Sequence, residues 1–191
     1  MDSEVAAVEL LNVLRPAVAV AWYVTFAALA LHDYPGCRQK LRAGEDGYDE
    51  LFVQEVRRSY PFFPFVGGRV RDAFEWRGRH FAEGAWVLLD LYGTNHDDRI
   101  WGDTQEFRPE RFLDWDGGAY DFIPQGGGDH HEGHRCAGEW ITIELMKVAV
   151  RFLTGSMRYD VPEQDLRVSL SRMPALPESR FVISGVRSTG E

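Results

Sequence analysis

The sequence is short of basic residues, of cysteine and of processing signals. Lysine and arginine number 21 against 30 aspartates and glutamates, a formal net charge of −9. That balance argues against a general nucleic-acid binder, whose footprint is a basic surface. It also disfavours a polybasic membrane anchor. Cysteine is limited to Cys37 and Cys136. Two thiols make no disulfide framework, and a reducing, cytoplasmic setting is expected. No cationic leader with a cleavage site opens the chain, so no signal peptide is expected. Internal repeats and low-complexity tracts are also missing, which argues against a repeat array. What remains is ordinary globular composition: 191 residues, 45% hydrophobic and 27% charged. A chain of that size buries a core without covalent staples.

The most apolar stretch comes first, Val5 to Leu31. About 20 apolar residues cross a bilayer, but Glu9, Asn12, Arg15 and Pro16 interrupt this one, and the uncharged remainder, Ala17 to Leu31, is short. The expectation is a buried central helix over 4–32 and no membrane span. Pro16 cannot donate to the Asn12 carbonyl, so a kink is expected there. A polar link with Gly44 and Gly47 follows, then a helix over 48–60 stopped by Pro61 and Pro64. Residues 67–89 turn strand-like, with Val70, Phe74 and Trp76, a turn at Arg77-Gly78-Arg79, then Phe81 and Trp86-Val87-Leu88-Leu89. A glycine-rich loop at 122–138 leads into an amphipathic helix over 138–154, with Trp140, Ile143, Met146 and Val150 at helical spacing. Short β runs broken by prolines close the chain over 156–187. The fold class expected is mainly α with small β hairpins (α+β).

The loop Phe122-Ile-Pro-Gln-Gly-Gly-Gly-Asp-His-His-Glu-Gly-His-Arg-Cys-Ala-Gly places Cys136 just before a helix. A helix N-terminus stabilises a thiolate, and a thiolate ligates a soft metal centre. Glycines let the backbone approach a flat cofactor closely. Two other readings stand beside this one: an inert buried cysteine, and a zinc site from His130, His131, His134 and Cys136. The second lacks paired zinc-ligand spacing.

Cys-x-Gly before a helix, with His134 two residues ahead, resembles the haem-thiolate loop of the cytochrome P-450 superfamily. The Phe and Gly of the usual signature are more tightly spaced, so the loop carries an apparent insertion. Glu55-Val56-Arg57-Arg58 and Pro109-Glu110-Arg111-Phe112 match two further family motifs in the right order. The resemblance implies a P-450 fold from the central helix to the end of the chain. It implies haem b with Cys136 as axial iron ligand, and His134 where the family meets a haem propionate. It also implies a structural cluster of Glu55, Arg58 and Arg111. Two arginines on one carboxylate leave a spare cation, so backbone carbonyls are expected as further acceptors.

Oxygen-activating members of the superfamily usually carry an acid–alcohol pair in the central helix. Here Arg15-Pro16 stands in that region. Arg15 is a permanent cation that wants a carboxylate, and Glu9, six residues away, points to another side of the helix. The Arg–Pro pair resembles the fatty-acid peroxygenase branch. So do Ala6 to Pro16, Gln54-Glu55-Val56-Arg57-Arg58 and Tyr92-Gly93-Thr94-Asn95-His96-Asp97. The branch implies that a fatty-acid carboxylate pairs with Arg15 beside Pro16 and acts as acid–base toward hydrogen peroxide. Hydroxylation at the α or β carbon follows, or decarboxylation, with no redox partner. Phe62 and Phe63 are expected to line the pocket. A reductase-dependent monooxygenase and an inactive haem-binding fragment are the competing readings, because members of the superfamily are about twice as long as this chain.

Overall fold

A computed structural model describes residues 2–190. Helix α1, Ser3–Asp33, opens the chain. Its C-terminal half is core: Phe26, Ala27 and Ala30 are wholly enclosed. Tyr34 leaves helical geometry because the residue before a proline is pushed from the α region. Pro35 then starts α2, Pro35–Ala43, where a missing N–H costs nothing. Gly44, with φ of 68°, ends α2 in the left-handed conformation. This helix falls in the stretch that the sequence reads as a polar link. Only Cys37 and Leu41 of it reach the hydrophobic cluster, too few for a clear apolar stripe.

Helix α3, Tyr48–Ser59, turns Phe52, Val53 and Val56 inward, all fully buried. Each such side chain contributes about 1.5–3 kcal/mol of burial free energy. The strands β1 (Phe65–Arg69), β2 (Phe74–Trp76), β3 (Arg79–Phe81) and β4 (Trp86–Asp90) form two antiparallel pairs, β1 with β4 and β2 with β3. Trp76 faces Arg79 in register. The two residues between them, Arg77 and Gly78, have φ of 50° and 73°, the geometry of a type I′ hairpin turn. Two short helices, α4 (Leu91–Asn95) and α5 (Asp98–Trp101), precede a 3₁₀ turn at Pro109–Phe112. Helix α6, Glu139–Arg151, begins three residues after Cys136 and packs Ile143, Met146 and Val150 against α1 and α3. A π turn, Phe152–Ser156, leads to β5 (Met157–Asp160), which pairs with β6 (Ser184–Ser188).

The kink expected at Pro16 is not an interruption: α1 is continuous through it. The Asn12 carbonyl loses its usual donor, but that part of the helix is exposed, and solvent can serve it instead. Exposure is general along the first half of α1. Val13 is 70% exposed and Val18 59%. The whole chain presents 12119 Å² of accessible surface. A compact globule of this mass presents about 9,300 Å². The surplus is concentrated in apolar faces of α1, α6 and the β1–β4 pair.

Candidate active site

The glycine loop is pinned at its start. Phe122 and Ile123 are buried. The Ile123 amide donates to Asn95 Oδ1 at 2.9 Å, and the Tyr23 hydroxyl donates to the Pro124 carbonyl at 3.2 Å. Trp101, Phe112 and Trp115 surround the Phe122 ring at 5.1–5.6 Å between centroids. Within the apparent insertion, Asp129 Oδ1 accepts the amides of His131 and Glu132 at 2.7 and 2.9 Å. Gly126 has φ of 93°, and a Cβ there would stand 2.9 Å from the His134 carbonyl oxygen. Only glycine lets the loop close on itself at that point.

Cys136 follows as an exposed residue. Its amide donates to the Gln125 carbonyl at 3.0 Å. The residue opens into a cleft of about 450 Å³ between α1 and α6. Asn12, Pro16 and Val20 wall one side, Ile141 and Leu145 the other, and Phe62 also borders it. His134 is exposed and is not among the residues lining the cleft. His130 does not join it in a metal site, because its Nε2 lies 2.9 Å from Glu139 Oε2.

The structure brings Glu55, Arg58 and Arg111 together. Glu55 accepts from Arg58 Nε at 2.8 Å and Nη2 at 2.7 Å, and Arg111 Nε lies 3.1 Å from the same carboxylate. The surplus cation is met by backbone carbonyls. Arg58 donates to that of Asn95 at 3.0 Å, and Arg111 to those of Trp101 and Glu106, both at 2.8 Å. Glu55 and Arg58 are fully enclosed. Glu55→Gln therefore strands two guanidinium groups, at a cost of about 3–5 kcal/mol. Urea denaturation checks this; a loss under about 1 kcal/mol would place the cluster among ordinary surface pairs.

A second enclosed network has no counterpart in the sequence reading. Arg57 is 1% exposed. It pairs with Glu139 and Gln54, donates to Gln125 Oε1 at 3.2 Å, and lies 5.1 Å from the Phe122 ring centre. Arg135 closes on Glu139 from the other side at 2.5 and 3.1 Å. The four-residue spacing of Arg135 and Glu139 is its one local signal in the sequence. Burial opposes ionisation of Glu139, but the Arg135 hydrogen bonds and the Arg57 charge outweigh it, and its pKa falls to about 2. A depressed carboxylate stabilises the fold above its unfolded pKa, and this is lost as pH falls through the folded one. The window here runs from 4.5 down to about 2. Glu139→Gln should be less stable at pH 7 and flatter across that window; denaturation midpoints against pH read both.

Arg15 and Pro16 face different ways. Pro16 borders the cysteine cleft, whereas Arg15 borders a neighbouring groove of about 410 Å³ with Leu11, Leu14, Val18, Trp22, Phe62 and Phe63. Ala19 and Phe62 line both spaces. Arg15 itself makes no ion pair with the described residues.

A protein-family model described as cytochrome P450 matches residues 48–181. The chain belongs to the cytochrome P450 family. Among P450 sequences, cytochrome P450 3A15 of Cavia porcellus is 27% identical over 152 residues, which is 75% of this chain and 29% of that protein. Among solved structures, cytochrome P450SP alpha (CYP152B1) in complex with (R)-ibuprophen superposes with a TM-score of 0.91 at 57% identity, covering 100% of this chain and 46% of that one. Cytochrome P450EX alpha (CYP152N1) with myristic acid follows at 48% identity and 0.88, over 99% of this chain and 46% of that one. A single-site variant of cytochrome P450 OleT in complex with arachidonic acid stands at 44% and 0.89, over 100% and 45%. The chain thus spans less than half the length of the P450 structures it matches.

P450 membership implies haem held through a cysteine thiolate. The residues present fit that group. Cys136 offers one soft donor at the edge of an apolar cleft, between two helices whose facing side chains are open rather than interlocked.

Proposed function

We propose that the complete protein is a cytoplasmic haem-thiolate peroxygenase that hydroxylates fatty acids at the α or β carbon with hydrogen peroxide, or decarboxylates them. The observation that carries this reading is Arg15. It is a permanent cation without an ionic partner among the described residues, at an apolar groove that shares a wall with the Cys136 cleft. An isolated guanidinium beside an apolar groove matches a carboxylate followed by a hydrocarbon chain.

In this reading Cys136 holds the iron of haem b, and His134 meets a propionate. The bound haem supplies oxidising power drawn from peroxide. Arg15 fixes the acid by its carboxylate, which then accepts and returns the peroxide proton in place of the missing acid–alcohol pair. Pro16 lines the cleft beside Cys136 and leaves the Asn12 carbonyl, on the same wall, without its helical donor. Phe62 and Phe63, whose rings meet at 4.6 Å, set where the chain lies and hence which carbon is presented. Glu55, Arg58 and Arg111 hold the cysteine side of the pocket rigid. The P450 structures solved with myristic and arachidonic acid support the substrate class.

Turnover of a fatty acid with peroxide, without reductase or reduced nicotinamide, tests the proposal. Turnover that needs an electron-transfer partner and ignores peroxide points to a conventional monooxygenase instead. A 191-residue chain that retains no haem is a structural fragment, with the activity confined to the longer protein.

A further inference from the structure

We infer that Arg57 is a positioning residue for Cys136. Four hydrogen-bonded links close a ring through it. Arg57 Nε donates to the Gln125 side chain at 3.2 Å. The Gln125 carbonyl accepts the Cys136 amide at 3.0 Å, and the Cys136 carbonyl accepts the Glu139 amide at 3.2 Å. The Glu139 carboxylate returns to Arg57 Nη2. Both backbone polar groups of the cysteine are therefore held by residues whose side chains meet on one guanidinium.

The ring is built to stay closed. Arg57 is enclosed and packs over Phe122, so its fork has little freedom to turn away. Glu139 is also held by Arg135 and His130. The planar fork is needed because two arms must diverge toward two acceptors at fixed angles. A lysine ammonium can follow one acceptor but does not reproduce that fork. Arg57 thus fixes how far the thiol projects from the loop into the cleft. It is distinct from its neighbour Arg58, whose contacts are to Glu55, to the Ser59 hydroxyl and to the 95–106 backbone.

The consequence for haem ligation rests on the proposed function, but the ring can be tested without haem. Amide hydrogen exchange at Cys136 and the alkylation rate of its thiol are measured in the 191-residue chain. Cys37 serves as an internal reference, since burial pushes its thiol pKa up and it lies outside the ring. In Arg57→Leu the Cys136 amide should exchange about tenfold faster or more, and the Cys136-to-Cys37 alkylation ratio should change. Gln125→Leu keeps the carbonyl and the Arg57–Glu139 pair, and should produce the same change in smaller measure. The double variant should fall short of the sum, as linked residues do, and Arg57→Lys should not restore the Gln125 arm. If Arg57→Leu does not fold, Gln125→Leu decides alone. Unchanged exchange and an unchanged ratio in the folded variants, with only a lower melting temperature, would reduce Arg57 to a structural ion pair. In protein that takes up haem, a larger share of carbon-monoxide complex with a neutral thiol ligand is the matching signature. Wild-type spectra in folded Arg57→Leu or Gln125→Leu overturn the assignment there too.

Discussion

Cys136→Ala eliminates the red-shifted, thiolate-type Soret band from the carbon-monoxide complex of the haem-loaded protein. The expectation follows from the scarcity of alternatives. The chain has one other thiol, Cys37, on α2, partly buried against the hydrophobic core and not among the residues lining the cleft. Its burial favours the neutral form, and Tyr48 only partly offsets this. His130 is engaged by Glu139, and any histidine that did replace the thiolate would give a different band, because a nitrogen ligand lacks the thiolate's electron donation. Cys37→Ala is the companion variant and should keep the band in full. Survival of the band in Cys136→Ala would remove the axial ligand from this loop and the proposed function with it.

Arg15→Ala abolishes peroxide-dependent turnover of fatty acids in the complete protein while leaving the carbon-monoxide spectrum unchanged. Arg15 touches the cysteine cleft only through shared neighbours, so the metal side of the pocket is left alone. What disappears is the anchor for the carboxylate and, with it, the acid–base group the substrate would bring. General acid–base catalysis is worth about 10²–10⁴-fold, and loss of the charge-assisted pair adds a higher KM. Arg15→Lys should recover part of the binding but less of the rate, because a point charge orients a carboxylate less strictly than a fork. Rates for Arg15→Ala equal to wild type would leave its unpaired charge without a role in catalysis.

Much of the fold and of the site is legible in the amino-acid sequence. The central helix, the Glu55 helix and the cysteine loop announce themselves through long apolar spacing, charge spacing and glycine density. The cluster of Glu55, Arg58 and Arg111 follows from two motifs in order. Helix α2 is hidden because so few of its nine residues face the core. Helix α6 runs Glu139–Arg151 with Gly138 as its N-cap, and a π turn takes over at Phe152. The Arg57–Glu139 pair is hidden for another reason. It joins residues 82 apart in sequence, and neither local spacing nor composition marks an arginine as fully enclosed. Helix α1 runs through Pro16 without ending, so the proline removes one hydrogen bond, that to the Asn12 carbonyl, and does not set an element boundary as it would in a reading from sequence alone. The separation of Arg15 and Pro16 into two spaces needs three-dimensional placement of both walls, although adjacent residues on a helix already point about 100° apart.

Trp22 gives the Arg15 groove an optical voice. Its ring lies 6.3 Å from Phe62 and lines the same groove as Arg15, while Trp101 and Trp115 stack 6.0 Å apart in the aromatic cluster beneath the loop. A hydrocarbon chain entering the groove should change the surroundings of the Trp22 ring and shift its emission. A haem in the adjacent cleft quenches it by energy transfer. Subtracting the Trp22→Phe spectrum isolates that one residue, so the arrival of cofactor and of acid can be followed separately by light.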